Sequence, residues 1–173
     1  MSRTSKFSFS RGFTLIELLI VIGIIGVLAA GTIVLLNPLA QIQKAHDAQR
    51  KSDFSEIQKA LEMYYQDYNS YPPSSSDFKI KIPDTTGDGT IVNWGSSWAP
   101  FMSTLPSDPS STQNYVYFSD GQAYRLYASL ERGANDPQTC NGGNPCASLP
   151  TGATCGGAGI VCNYGTSSPN VSL

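Results

Sequence analysis

The sequence predicts an α+β fold. A long N-terminal helix, membrane-spanning in its first half and amphipathic in its second, packs on a small antiparallel β-sheet, and a loop-rich, disulfide-stapled tail follows. Three observations predict this. Residues 13–36 form an almost unbroken apolar run, and residues 39–68 then carry apolar side chains at helical spacing. Beyond Pro73, aromatic and β-branched runs flank an Asp-Gly turn, and all four cysteines lie near the C-terminus.

The apolar run, FTLIELLIVIGIIGVLAAGTIVLL, spans about 36 Å as a helix, enough to cross a bilayer core. A secretory signal has a shorter apolar core, of about 7–15 residues. Arg3, Lys6 and Arg11 precede the run and favour a cytoplasmic N-terminus with the rest of the chain outside. Asn37-Pro38 then interrupts the pattern, because proline lacks an amide donor and crowds the preceding turn. Leu39, Ile42 and Ala45 resume a stripe that continues through Phe54, Ile57, Leu61, Tyr64 and Tyr68. Lys44, Asp47, Lys51, Lys59 and Glu62 are expected on the opposite face, with Asp47 and Lys51 as an i,i+4 pair. Asn69-Ser70-Tyr71-Pro72-Pro73 ends the helix.

Residues 74–112 read as a loop-rich connection with short strands. Tyr115-Val116-Tyr117-Phe118 and Ala123-Tyr124-Arg125-Leu126-Tyr127-Ala128 then read as a hairpin around Asp120-Gly121. Tyr124, Leu126 and Ala128 alternate with Arg125, Tyr127 and Ser129, as in a sheet with one face on the helix. Residues 133–173 have too few apolar side chains to build a core without cross-links. Cys140, Cys146, Cys155 and Cys162 are expected to form two disulfides, with three pairings open. Their spacing lacks the close pairs of a zinc ribbon.

The net charge is −2, and removal of the three basic residues ahead of the apolar run leaves −5. Simple electrostatic binding of nucleic acid is therefore not expected. A single histidine, His46, offers no catalytic triad, and no phosphate-binding glycine loop occurs. The chain is not expected to be an enzyme. His46 is expected to be solvated, and Trp94 and Trp98 to pack. Asp84-Thr85-Thr86-Gly87-Asp88-Gly89-Thr90 fits the first part of a calcium loop, with Asp84, Thr86, Asp88 and Thr90 as oxygen donors. Gly95 stands where the bidentate acid belongs, so a solvated turn is the plainer reading and no cofactor is required.

Glu17 is the anomaly. A carboxylate near the start of a bilayer-length apolar segment is costly unless paired or protonated. Cleavage after Gly12 would free an amine on Phe13 at the edge of that segment, and two staggered helices would then pair amine with carboxylate. The string Arg11-Gly12-Phe13-Thr14-Leu15-Ile16-Glu17-Leu18-Leu19 resembles the cleavage and methylation motif of type IV prepilins and type II secretion pseudopilins. The resemblance implies cleavage of Gly12–Phe13 by a membrane-embedded prepilin peptidase, N-methylation of Phe13 by the same enzyme, and neutralisation of a neighbour's amine by Glu17. It also implies pilin partners in a filament and an inner-membrane assembly platform. Weaker likeness extends through Leu105-Pro106-Ser107-Asp108-Pro109 and the hairpin, although Ser110-Ser111 replaces the Trp-Gly that major pseudopilins usually carry.

The expected organisation is a leader at 1–12, a membrane and filament-core helix at 13–36, an amphipathic helix at 37–70, a β head at 71–132 and a Cys-rich tail at 133–173. The precursor would sit in the inner membrane among lipids, and the assembled filament in the periplasm or outside the cell. A pilus subunit, a secretion pseudopilin and a minor tip pilin acting as an adhesin all fit. Val27-Leu28-Ala29 also loosely fits conventional signal cleavage.

Overall fold

A computed structural model describes residues 12–84 and 87–173. The N-terminal unit is built on α1 (Leu15–Leu36). From Leu15 to Thr32 none of its residues is buried among the described residues. Leu15, Val27 and Leu28 are among the most exposed large apolar residues of the protein.

The interruption expected at Asn37-Pro38 divides the long helix into two. Asn37 takes a left-handed backbone conformation, φ 42°, and α2 (Pro38–Tyr68) begins immediately after it. Proline disfavours the helical conformation in the residue before it, and asparagine tolerates the left-handed one. The Asn37 side-chain oxygen accepts from the Ala40 amide at 3.3 Å, so the residue that ends α1 also caps α2. Pro38 stands at the first helical position, where its missing N–H costs nothing.

In the second unit, α2 buries Phe54, Ile57, Ala60, Leu61 and Tyr64. Two features of the helix differ from expectation. The buried stripe runs upstream through Asp47, Arg50 and Asp53, while Tyr68 at its far end is 60% exposed. Leu39 and Ile42 are exposed as well. The apolar stripe therefore gives way to a polar one toward the start of the helix.

A three-stranded antiparallel sheet packs on α2 in the order β3 (Val116–Ser119), β4 (Tyr124–Ala128), β5 (Tyr164–Ser167). β1 (Ile80–Ile82) and β2 (Thr90–Val92) form a separate short hairpin. Gly121, at φ 88°, makes the turn between β3 and β4, and the Asp120 carboxylate accepts the amides of Gln122 and Ala123. Tyr115, Tyr117, Tyr124, Leu126 and Trp98 fill the core against α2.

The other face of the sheet was expected to carry outward side chains. Instead Val116 and Tyr127 are buried there, with Cys146, Ala153, Cys155 and Cys162 over them. The Tyr127 hydroxyl donates to the Ser148 carbonyl at 2.6 Å. This second small core is closed by bridges Cys140–Cys146 and Cys155–Cys162. The buried Asn163 side chain exchanges two hydrogen bonds with the Leu130 backbone, substituting for a strand pairing just before β5. Gly133 lies so close to that amide that any Cβ would strike it.

Candidate processing and assembly segment

Gly12, Phe13 and Thr14 precede α1 in non-helical conformation. Among the described residues, nothing lies within 4 Å of where a Gly12 Cβ would stand, and Phe13 is 86% exposed. Among the described residues, none covers the Gly12–Phe13 peptide.

Thr14 caps the helix, with φ −81° and ψ 152°. Its hydroxyl accepts from the Glu17 amide at 3.3 Å. Glu17 Oε2 accepts in return from the Thr14 amide at 2.9 Å and the Thr14 hydroxyl at 2.8 Å. This reciprocal capping box satisfies two helix-start donors and places a negative charge at the positive end of the helix dipole. Glu17 is the one charged residue of α1, and its Oε1 accepts no bond among the described residues. One carboxylate oxygen thus serves the cap, and the other accepts no bond among the described residues. Sequence reading singled out Glu17 and passed over Thr14, although Thr-x-x-Glu before an apolar run is itself a readable capping signal.

A second cluster was not foreseen. The fully buried Arg50 guanidinium donates two parallel bonds to Asp108, both at 2.9 Å. It also donates to Asp47 at 2.9 Å and to Glu131 at 3.1 Å. Asp47 further accepts the backbone amides of Glu131 and Arg132. Burial opposes the charge on Arg50, but Asp108 and Glu131 outweigh it and hold its pKa above the ordinary value. Burial likewise pushes Glu131 up, but hydrogen bonds from His46 and Arg50 bring it below the ordinary carboxylate value.

Two expectations are corrected here. His46 keeps 34% of its side chain exposed, but its Nδ1 lies 2.9 Å from Glu131, so it is a partnered surface residue and not a freely solvated one. Asp47 and Lys51 do not pair with each other, because Asp47 takes Arg50 and Lys51 takes Asp136 at 2.5 Å. Apart from Asp47 and Arg50, which are three residues apart, the partners lie 58 to 85 residues apart in sequence, where no local pattern announces them.

Asp84 and Asp88 lie in the turn between β1 and β2, and Thr90 opens β2. The Asp84 carboxylate accepts from the Gly87 amide at 3.0 Å, which closes the turn. Thr86, the remaining calcium candidate, lies outside the described residues. Among the described residues, no group of three His, Cys, Asp or Glu side chains is placed to hold a metal ion.

Comparison with known proteins gives two family models. The prokaryotic N-terminal methylation motif matches residues 8–33, and the type II secretion system protein G model matches residues 37–145. The chain is 34% identical to type II secretion system core protein G of Pectobacterium carotovorum over 116 residues, covering 67% of this chain and 71% of the relative. It is 32% identical to the protein of that name from Escherichia coli, covering 69% and 80%. It is 47% identical to the type IV wide pilus major component of Thermus thermophilus over 106 residues, covering 61% and 70%. No solved structure matches.

Proposed function

The chain belongs to the type II secretion system protein G family, and from that membership we propose that it is a prepilin-type structural subunit, cut after Gly12, methylated on Phe13 and polymerised through α1. The observation that carries this reading is the exposed Gly12–Phe13 junction set directly before a capped, bilayer-length apolar helix whose one charge is Glu17.

Before assembly, α1 anchors the subunit in the inner membrane, with the head outside the cytoplasm. In the filament it exchanges lipid contacts for contacts with neighbouring α1 helices. Cleavage replaces the Gly12–Phe13 amide by a cationic amine, and Glu17 Oε1 of a neighbour receives it. Neither charge is then buried alone. The work is structural: a peptidase with N-methyltransferase activity processes the chain, a membrane assembly platform polymerises it, and the subunit itself needs no catalytic group.

The test is a strain carrying only Glu17→Ala, scored separately for mature protein and for sheared filaments. Insertion and cleavage should survive, since a more apolar helix inserts at least as well. Filaments should be lost or sparse. Filaments at the wild-type level would remove Glu17 from assembly.

Two filament types are favoured by different findings. The family model and the Pectobacterium and Escherichia relatives favour a secretion pseudopilus. The Thermus relative, more nearly identical over its shorter match, favours a pilus. Deletion of the gene separates them: a pseudopilin mutant retains its exoproteins inside the cell, and a pilin mutant loses surface fibres.

A further inference from the structure

The two bridges of the tail stand in different surroundings. Cys155 and Cys162 are fully buried in the second core, with Val116 and Tyr127. Cys146 is buried too, but its partner Cys140 is only half-buried, and Asn141, Gly142, Asn144 and Pro145 of the loop they close are exposed. Cys140 also stands in the wall of a hollow of about 300 Å³ with Gln138, Thr139, Asn141, Ala147 and Leu173, whose side chains bring no charge to repel an incoming thiolate.

The loop closed by Cys140–Cys146 is also a support. Gly143, at φ 96°, lies so close to the Gly133–Ala134 peptide that a Cβ would stand 2.7 Å from the Ala134 nitrogen. The residues on either side of that peptide fasten the segment to α2. The amides of Glu131 and Arg132 donate to Asp47, the Glu131 carboxylate accepts from Arg50, and Asp136 accepts from Lys51. Cys140 is itself fixed at one end, because its amide donates to the Asn163 carbonyl at 2.7 Å.

We propose that Cys140–Cys146 is a site of thiol–disulfide exchange with an external dithiol, and that it acts as a redox latch on the 131–136 segment. A thiolate of the dithiol attacks Cys140 Sγ, the more accessible sulfur of the bridge. The S–S bond breaks, and its electron pair leaves on Cys146 Sγ, which takes a proton from solvent. The second thiol of the dithiol loses its proton and attacks the reagent sulfur now joined to Cys140. Cys140 leaves as a thiolate and is protonated in turn. The bridge has gained two electrons and two protons, and the dithiol has become a disulfide. With the bridge open, the 141–145 loop is no longer closed and Gly143 no longer holds the Gly133–Ala134 peptide. Glu131, Arg132 and Asp136 then lose order against α2, while the buried Cys155–Cys162 bridge keeps the tail folded over the sheet.

The full mature chain, oxidised and folded in detergent, tests this with dithiothreitol as the dithiol. Samples are quenched with iodoacetamide over time, and peptide mass spectrometry assigns the labels. Cys140 and Cys146 should be labelled at least roughly tenfold faster than Cys155 and Cys162, because exchange follows access to the sulfur. Equal rates, or earlier opening of Cys155–Cys162, overturn the exchange site. Hydrogen-exchange mass spectrometry of the selectively opened protein reads the latch. Exchange across 131–136 should rise roughly tenfold, and exchange across 54–64 of α2 should stay at the oxidised level. Cys140→Ser/Cys146→Ser should reproduce that pattern without any reductant. Unchanged exchange across 131–136 in the opened protein overturns the latch. A matching rise across 54–64 overturns it as well, because the whole head would then have loosened.

Discussion

Arg50 shows what a single buried residue does in this head. Its guanidinium ties Asp108, before the β3–β4 hairpin, and Glu131, after it, to α2. Substitution Arg50→Met leaves Asp47, Asp108 and Glu131 facing one another without their cation, and breaking a buried ion pair in this way costs about 3–5 kcal/mol. Urea denaturation of the mature chain in detergent should show that loss, and a loss below about 1 kcal/mol would mean the cluster is not a clamp. Glu131 adds a pH dependence. Its folded pKa lies below the ordinary 4.5, so its contribution is complete above that value and falls away as pH drops through the folded value. The melting temperature should therefore decline between about pH 5 and about pH 3, and Glu131→Gln should flatten part of that decline. At the other end of the chain, Gly12→Val places a branched side chain beside the proposed scissile bond. An unprocessed membrane protein without filaments is expected on immunoblots, and normal filaments would count against processing there. Glu17 was legible because a charge inside an apolar run stands out in the sequence. Arg50 was not, because a cation on a helix reads as solvated until its distant partners are seen.

At the scale of elements, periodicity made the helices and the β3–β4 hairpin readable, while cross-chain packing was hidden. The break at Asn37-Pro38 was foreseen from proline chemistry, but not the double use of Asn37 as the end of α1 and the cap of α2. The covered outer face of the sheet was missed because Tyr127 and Ser129 alternate with residues that point to the helix. Such a pattern is the same whether the second face meets water or a disulfide-closed tail. Likewise, Tyr164-Gly165-Thr166-Ser167 is short and interrupted by glycine, and β5 is held by its pairing with β4 and by the Asn163–Leu130 bonds beside it. Tyr127→Ala should cost about 3–5 kcal/mol by emptying the space between sheet and tail. Each bridge closes a short loop, so loss of either should cost roughly 2 kcal/mol. Native, unreduced protein should resist alkylation at Cys140, Cys146, Cys155 and Cys162. Quantitative labelling of all four would contradict the two bridges.

For the whole molecule, an exposed apolar helix and a head with two small cores divide the labour of a filament subunit. From Leu15 to Thr32, α1 exposes its apolar side chains, and a lipid bilayer before assembly or neighbouring helices after it would cover them. The head is stabilised by its own core, its ion-pair clamp and its disulfides, so it does not depend on those neighbours to stay folded. The proposed assembly rests on one chemical event, hydrolysis of the Gly12–Phe13 amide and methylation of the amine it frees. Mass spectrometry of the mature protein's N-terminus tests that event most directly. The account predicts a chain that begins at Phe13 and carries one methyl group on its α-nitrogen. A mature chain beginning at Ala30 or Gly31, as conventional signal cleavage would give, contradicts it.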